Sequence, residues 1–116
     1  MAWQKNKLVI NSNFTYLDAG GEQTIFEITN SNKTYISQIM LDVNNITKDG
    51  EIKLYSKIDG INYREIAIYG FTFLTDSKGL LISLKIPINN DFKITYVEDS
   101  DEGDDRIIFY NYVLED

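Results

Sequence analysis

The sequence predicts an all-β chain: a single antiparallel β-sandwich of seven or eight short strands, with a jelly roll among the topologies the pattern admits. Period-two alternation rich in β-branched and aromatic residues recurs from about residue 24 to the end. Clusters of Asn, Asp, Gly and Ser interrupt it at roughly ten-residue spacing, the rhythm of a sandwich. No stretch beyond residue 23 joins helical periodicity to capping residues. With 116 residues, 43% of them hydrophobic and 25% charged, the composition is that of one globular domain with one core.

Within that domain, residues 1–23 read as an N-terminal arm with the first short strand or strands, and residues 24–116 as the sandwich core. Residues 8–10 and 15–17 are each a short strand, followed by an Asp18-Ala19-Gly20-Gly21 loop. The strand at 24–29 turns Phe26 and Ile28 one way and Glu27 the other. The strand at 35–44 places Tyr35, Ile39, Leu41 and Val43 on one face, opposite Gln38 and Asp42. Lys48-Asp49-Gly50 makes a turn in which Gly50 supplies positive φ. A strand at 51–58 then points Ile52, Leu54 and Ile58 inward, with Lys53, Tyr55 and Lys57 outward. Asp59-Gly60 is the strongest hairpin signal in the chain and predicts a return strand from 63 to about 73, paired with its predecessor.

The apolar run at 80–86 fits a central strand buried on both sides, ended by Pro87, which cannot donate to a ladder. Residues 92–97 and 106–114 make the last pair, with the acidic loop 98–105 as their hairpin tip.

Composition excludes much chemistry. The chain has no cysteine, hence no disulfide, thiolate metal site or cysteine nucleophile, and no histidine, hence no Ser-His arrangement and no imidazole base. Net charge is −7, but it is local: residues 1–97 hold ten acids and ten bases, whereas 98–116 hold eight acids and only Arg106. Without a clustered basic surface, nucleic-acid binding is not expected. The first ten residues lack a secretory signal's apolar stretch, and no segment approaches the roughly 18 apolar residues of a membrane helix. A soluble product, neither leader-bearing nor membrane-bound, is expected.

The acidic run Glu98, Asp99, Asp101, Glu102, Asp104, Asp105 suggests Ca²⁺ or a basic partner. It departs from the EF-hand pattern, because Gly103 falls where a third ligand belongs and Asp104 where the glycine belongs. The reading carried forward is a solvated tip, where nothing raises a carboxyl pKa. No metal, cofactor or catalytic residue is therefore assigned. Tyr55, Tyr63, Tyr69, Tyr110 and Tyr112 are candidates for a partner or sugar-stacking surface, against the ordinary preference of tyrosine for strands. Trp3, in a polar N-terminal segment, is a further interface candidate, docking on a partner or on its own domain.

The pattern Thr24-Ile25-Phe26-Glu27-Ile28, then Ile52-Lys53-Leu54-Tyr55-Ser56-Lys57-Ile58-Asp59-Gly60-Ile61-Asn62-Tyr63-Arg64, then Gly79-Leu80-Leu81-Ile82 before an Ile-rich strand, resembles small β-sandwich proteins among the virion structural proteins of tailed phages and related prokaryotic viruses. The resemblance spans about residues 22–114 and carries over no functional residue. It implies a non-enzymatic structural protein at the virion surface, such as a capsid decoration protein. The implied partners are the chain itself, a major capsid protein, or another virion protein. The alternative, from a different class, is a carbohydrate-binding or adhesive module whose partner is a glycan.

Overall fold

The computed structural model describes residues 7–29, 32–83, 85–88 and 91–116. Every regular element among them is a strand: β1 (Lys7–Tyr16), β2 (Gln23–Ile28), β3 (Tyr35–Asp42), β4 (Gly50–Ser56), β5 (Arg64–Phe71), β6 (Gly79–Ile82), β7 (Ile86–Pro87), β8 (Phe92–Glu98) and β9 (Arg106–Glu115). They form two antiparallel sheets. One runs β1-β9-β3-β6, with β7 also on β3; the other runs β2-β8-β4-β5. Among the described elements only β4 and β5 form a hairpin between sequence neighbours, and nearly every other connection crosses from sheet to sheet. This strand order is that of a jelly roll, in the sandwich class expected from the sequence.

The core lies between the sheets. Ile39 and Leu41 of β3, Ile52 and Leu54 of β4, Phe92, Ile94 and Tyr96 of β8 and Ile108 of β9 are all at most 2% exposed. The two layers meet through Phe26 of β2, whose ring centroid lies 4.2 Å from Tyr112 and 5.1 Å from Tyr110 on β9, stacked on both.

Several expectations are corrected. The two short strands at 8–10 and 15–17 are one strand, β1, paired with β9 over its whole length. The polar Asn11-Ser12-Asn13 stretch hid this, because an edge strand can expose both faces. The run at 80–86 is no central strand. It divides into β6 and β7 on the sheet edge, with Leu81 61% exposed.

Tyr35 and Ile39 do not share a face, since a bulge between Ile36 and Gln38 puts Ile36 in the core instead. Ile58 lies beyond β4 in the hairpin loop and is exposed. Strands β8 and β9 do not pair, so 98–105 is a crossover between sheets rather than a hairpin tip. Gly60 does adopt positive φ (79°), but Gly50 does not. Gly50 is required for space: a Cβ there would lie 2.6 Å from the Val97 carbonyl oxygen and 2.7 Å from Tyr96 Oη.

Candidate functional site

The outer face of the five-stranded sheet is built from the residues alternating with the core positions, and register joins them into rows across four strands. Asn11 stands opposite Asn111, Asn111 opposite Met40, and Met40 opposite Leu81. The next row runs Asn13, Phe109, Asp42, Gly79. Because Gly79 has no side chain, the two rows enclose an open groove of about 590 Å³ lined by Asn11, Met40, Asp42, Gly79, Phe109 and Asn111. Around it Met40 is 40% exposed, Phe109 48%, Leu81 61%, and Val9 55%. These apolar side chains alternate with Asn11, Asn13, Asn111 and Asp42, and among the described residues no element covers them.

The outer face of the four-stranded sheet is more densely charged, although Ile68, opposite Lys53, is 49% exposed there. One row runs Glu27, Lys93, Tyr55, Glu65. Lys93 Nζ sits 5.0 Å from the Tyr55 ring centroid and 4.7 Å from that of Tyr63, so one ammonium is shared by two rings. Lys57 Nζ lies 4.8 Å from the Tyr63 ring and 3.0 Å from Asp91 Oδ2. Tyr55 donates to Glu22, as does the Thr95 hydroxyl at 2.7 Å, and Tyr63 donates to Glu27. Burial, reinforced by Glu22, pushes the Tyr55 phenol up to about 12, and burial with Glu27 raises Tyr63. Burial also disfavours the Glu22 carboxylate, but the two hydroxyls with Lys53 and Lys93 more than reverse it, leaving that group below its usual range. Glu22, Glu27, Lys53 and Lys57 thus each have a partner within the four-stranded sheet and its loops.

At one end of the sandwich the acidic crossover is stitched to two other loops. Thr47 donates to Glu102 from its backbone N–H (2.9 Å) and its hydroxyl (2.5 Å), and Arg106 Nε lies 3.3 Å from the same carboxylate and 2.8 Å from Asp104. Gly103 N–H donates to Asp18, and Asp18 N–H donates to Asp105, each at 3.0 Å. The Glu102 side chain is 0% exposed, so the expected solvated tip is corrected on this point. Tyr96 donates to Glu98 at 3.2 Å. Burial, with Glu102 beside it, pushes the Glu98 carboxyl up to about 8, which favours its neutral form at pH 7. Among the described residues no three acids converge to hold a metal ion.

The sequence matches no protein-family model and no curated protein. Solved structures share the fold. One, from the acid-stable capsid of Helicobacter pylori bacteriophage KHP30, has a TM-score of 0.60 at 6% identity, covering 97% of this chain and 93% of that one. A second, from the disulfide-linked pili formed by Bacillus endospore appendages, has a TM-score of 0.58 at 13% identity over 97% and 90%. A third, the Yersinia pseudotuberculosis-derived mitogen, has a TM-score of 0.55 at 14% identity over 97% and 89%. At these identities the likeness is one of fold.

The structure brings the sequence candidates together in two pairs, and over the rings of the first, Tyr55 and Tyr63, it places ammonium groups. Tyr110 and Tyr112 point between the sheets onto Phe26, and Tyr69 packs half-buried against the core opposite Ile52. Trp3 lies outside the described residues.

The outward residues of β9 include Ile107 and Phe109, which sequence reasoning missed. β9 carries large apolar side chains on both parities, so alternation could not say which set was buried. Glu98 left a readable signal: it continues the inward series Phe92, Ile94, Tyr96.

Proposed function

We propose that the chain is a non-enzymatic structural protein of a virus particle, an auxiliary virion component such as a capsid decoration protein. It docks through the outer face of its five-stranded sheet onto protein partners, copies of itself or a major capsid protein. The observation carrying this reading is that Met40, Leu81, Phe109 and Val9 stand exposed on that face, which no element covers among the described residues. Exposed apolar surface of this kind marks protein contact in soluble folds. Two of the three fold relatives come, by their descriptions, from a phage capsid and from pili, which supports an assembly role without identifying the assembly. Having no cysteine, this chain would be held by non-covalent contacts.

A carbohydrate-binding module needs open ring faces. The rings of Tyr55 and Tyr63 lie under Lys93 and Lys57, and Tyr110 and Tyr112 are stacked inside, so that alternative is not favoured.

The test is quantitative mass spectrometry of virus particles banded on a density gradient from cells carrying the gene. Many copies per particle are expected, and a Met40→Asp/Phe109→Asp variant, whose changes point outward, should fold normally and be lost from the particles. Absence of the wild-type chain from the particles overturns the virion reading; an unaffected variant overturns the assignment of the face.

A further inference from the structure

Three of the four sheet edges are interrupted. β6 and β7 divide one edge into pieces of four and two residues. β2 shifts register between Thr24 and Phe26, and β5 shifts against β4 between Leu54 and Tyr55 and opens on Arg64 and Glu65. β1 has none of these protections. It is 10 residues long, keeps continuous register with β9, contains no proline, and carries one charge, Lys7, at its end. Its far side has no ladder partner among the described residues. Leu8, opposite the buried Leu114, is left 44% exposed, so the sandwich is open at this edge. Long, regular, uncharged edges are what proteins ordinarily blunt, because they template pairing with another strand.

We propose that β1 pairs antiparallel with β1 of a second copy about a two-fold axis through Ser12, joining two five-stranded sheets into one continuous sheet. The occupant follows from self-complementarity. Keeping each face on its own side requires outward residues to meet outward ones. Centred on Ser12, the pairing sets Ile10 against Phe14 twice and Leu8 against Tyr16 twice on the inner face. On the outer face it sets Asn11 against Asn13 and Val9 against Thr15. Lys7 then meets Leu17 of the second copy, next to that copy's Asp18, and faces no like charge. Centring on Asn11 instead keeps Leu8 opposite Phe14 but opposes Ile10 to Ser12 and Val9 to Asn13, and leaves Tyr16 beyond the paired strand. The bulged β2 and β5 edges cannot supply an unbroken ladder of this length. An isologous pair of this kind is the commonest symmetry of homo-oligomers.

The inference rests on the reading of the chain as an assembly component, and disulfide trapping separates the two. The chain lacks cysteine, so Ser12→Cys introduces a single thiol at an exposed position. Under mild oxidation of concentrated protein, Ser12→Cys should form a covalent dimer roughly tenfold or more faster than Val9→Cys, since only residue 12 faces its own copy within bridging distance. A mixture of Val9→Cys and Thr15→Cys should cross-link where neither does alone.

Equal, slow cross-linking of Ser12→Cys and Val9→Cys overturns the proposed pairing. If light scattering then still shows self-association, or particles still carry the chain, the assembly reading stands without it. If Ser12→Cys traps but particles lack the chain, the pairing stands and the virion reading fails.

Discussion

Glu98 and Glu102 face each other inside the crossover from β8 to β9 as an acid and a carboxylate, the first held neutral and the second held charged. Burial and the neighbouring Glu102 push Glu98 up to about 8. For Glu102 burial acts against ionisation, but the interactions with Glu98, the two Thr47 donors and Arg106 outweigh it and leave the group below its usual value. The pair therefore binds one proton across neutral pH.

Stability should follow that proton. The folded Glu98 binds its proton more tightly than the unfolded chain, where a glutamate's ordinary value is 4.5, so its contribution is full below 4.5 and is lost as pH rises through about 8. Glu102 has the opposite sign: its contribution is present above 4.5 and is lost as pH falls through its lowered folded value. Stability from this corner should be greatest between the two limits. Glu98→Gln, which stays neutral, should remove the alkaline loss and gain on the order of 1–2 kcal/mol over wild type at pH 9, with little change at pH 5. Urea unfolding at the two pH values checks this; equal gains at both would show that ionisation of Glu98 is not the cause.

Removing the charged partner has the reverse effect. Glu102→Ala strips the acceptor from Thr47 N–H and hydroxyl and one of two carboxylates from Arg106 Nε, in a side-chain site that is 0% exposed. A loss of about 2–4 kcal/mol is expected at pH 7. Calorimetry of the variant beside Asp104→Ala, whose carboxylate is largely exposed and which should cost under about 1 kcal/mol, checks that the loss follows burial and not charge.

These carboxylates also show where the sequence was legible and where it was not. Local signals held: Asp59-Gly60 made its hairpin, with Gly60 at φ 79°, and alternation in β2 and β4 gave the inward Phe26, Ile28, Ile52 and Leu54. Pairing between distant strands leaves no such local mark. β8 and β9 follow one another along the chain yet belong to opposite sheets, so the loop between them read as a solvated tip although it spans the end of the sandwich. The outer face was obscured for a second reason. Met40 between Ile39 and Leu41, and Phe109 between Ile108 and Tyr110, break the polar half of the alternation, and a face used for contact does so by its nature.

Two glycines should respond oppositely to the same change. A Cβ at Gly50 would press on Tyr96 Oη at 2.7 Å and on the Val97 backbone oxygen at 2.6 Å, and backbone cannot swing aside. Gly50→Ala should cost about 2–3 kcal/mol. At Gly79, on the floor of the outer groove, a Cβ meets nothing within 4 Å, and Gly79→Ala should stay within about 0.5 kcal/mol of wild type or stabilise it slightly. Thermal melts of the two variants decide; a neutral Gly50→Ala would show that β4 can move away from β8.

The parity of β9 can be read directly by energetics. Phe26 stacks on Tyr112 at 4.2 Å and on Tyr110 at 5.1 Å, joining the sheets, whereas Phe109 and Ile107 lie on the outer face at 48% and 42% exposure. Tyr112→Ala removes a stacked ring from between the layers and should cost about 3 kcal/mol, with Phe26→Ala similar. The double variant should lose less than the sum, because the two rings share one contact. Phe109→Asp places a charge where water already reaches and should change stability by under about 1 kcal/mol. Unfolding free energies of these variants check the assignment: a larger loss at Phe109 than at Tyr112 would invert the strand, bury the apolar face and remove the surface on which the assembly proposal rests.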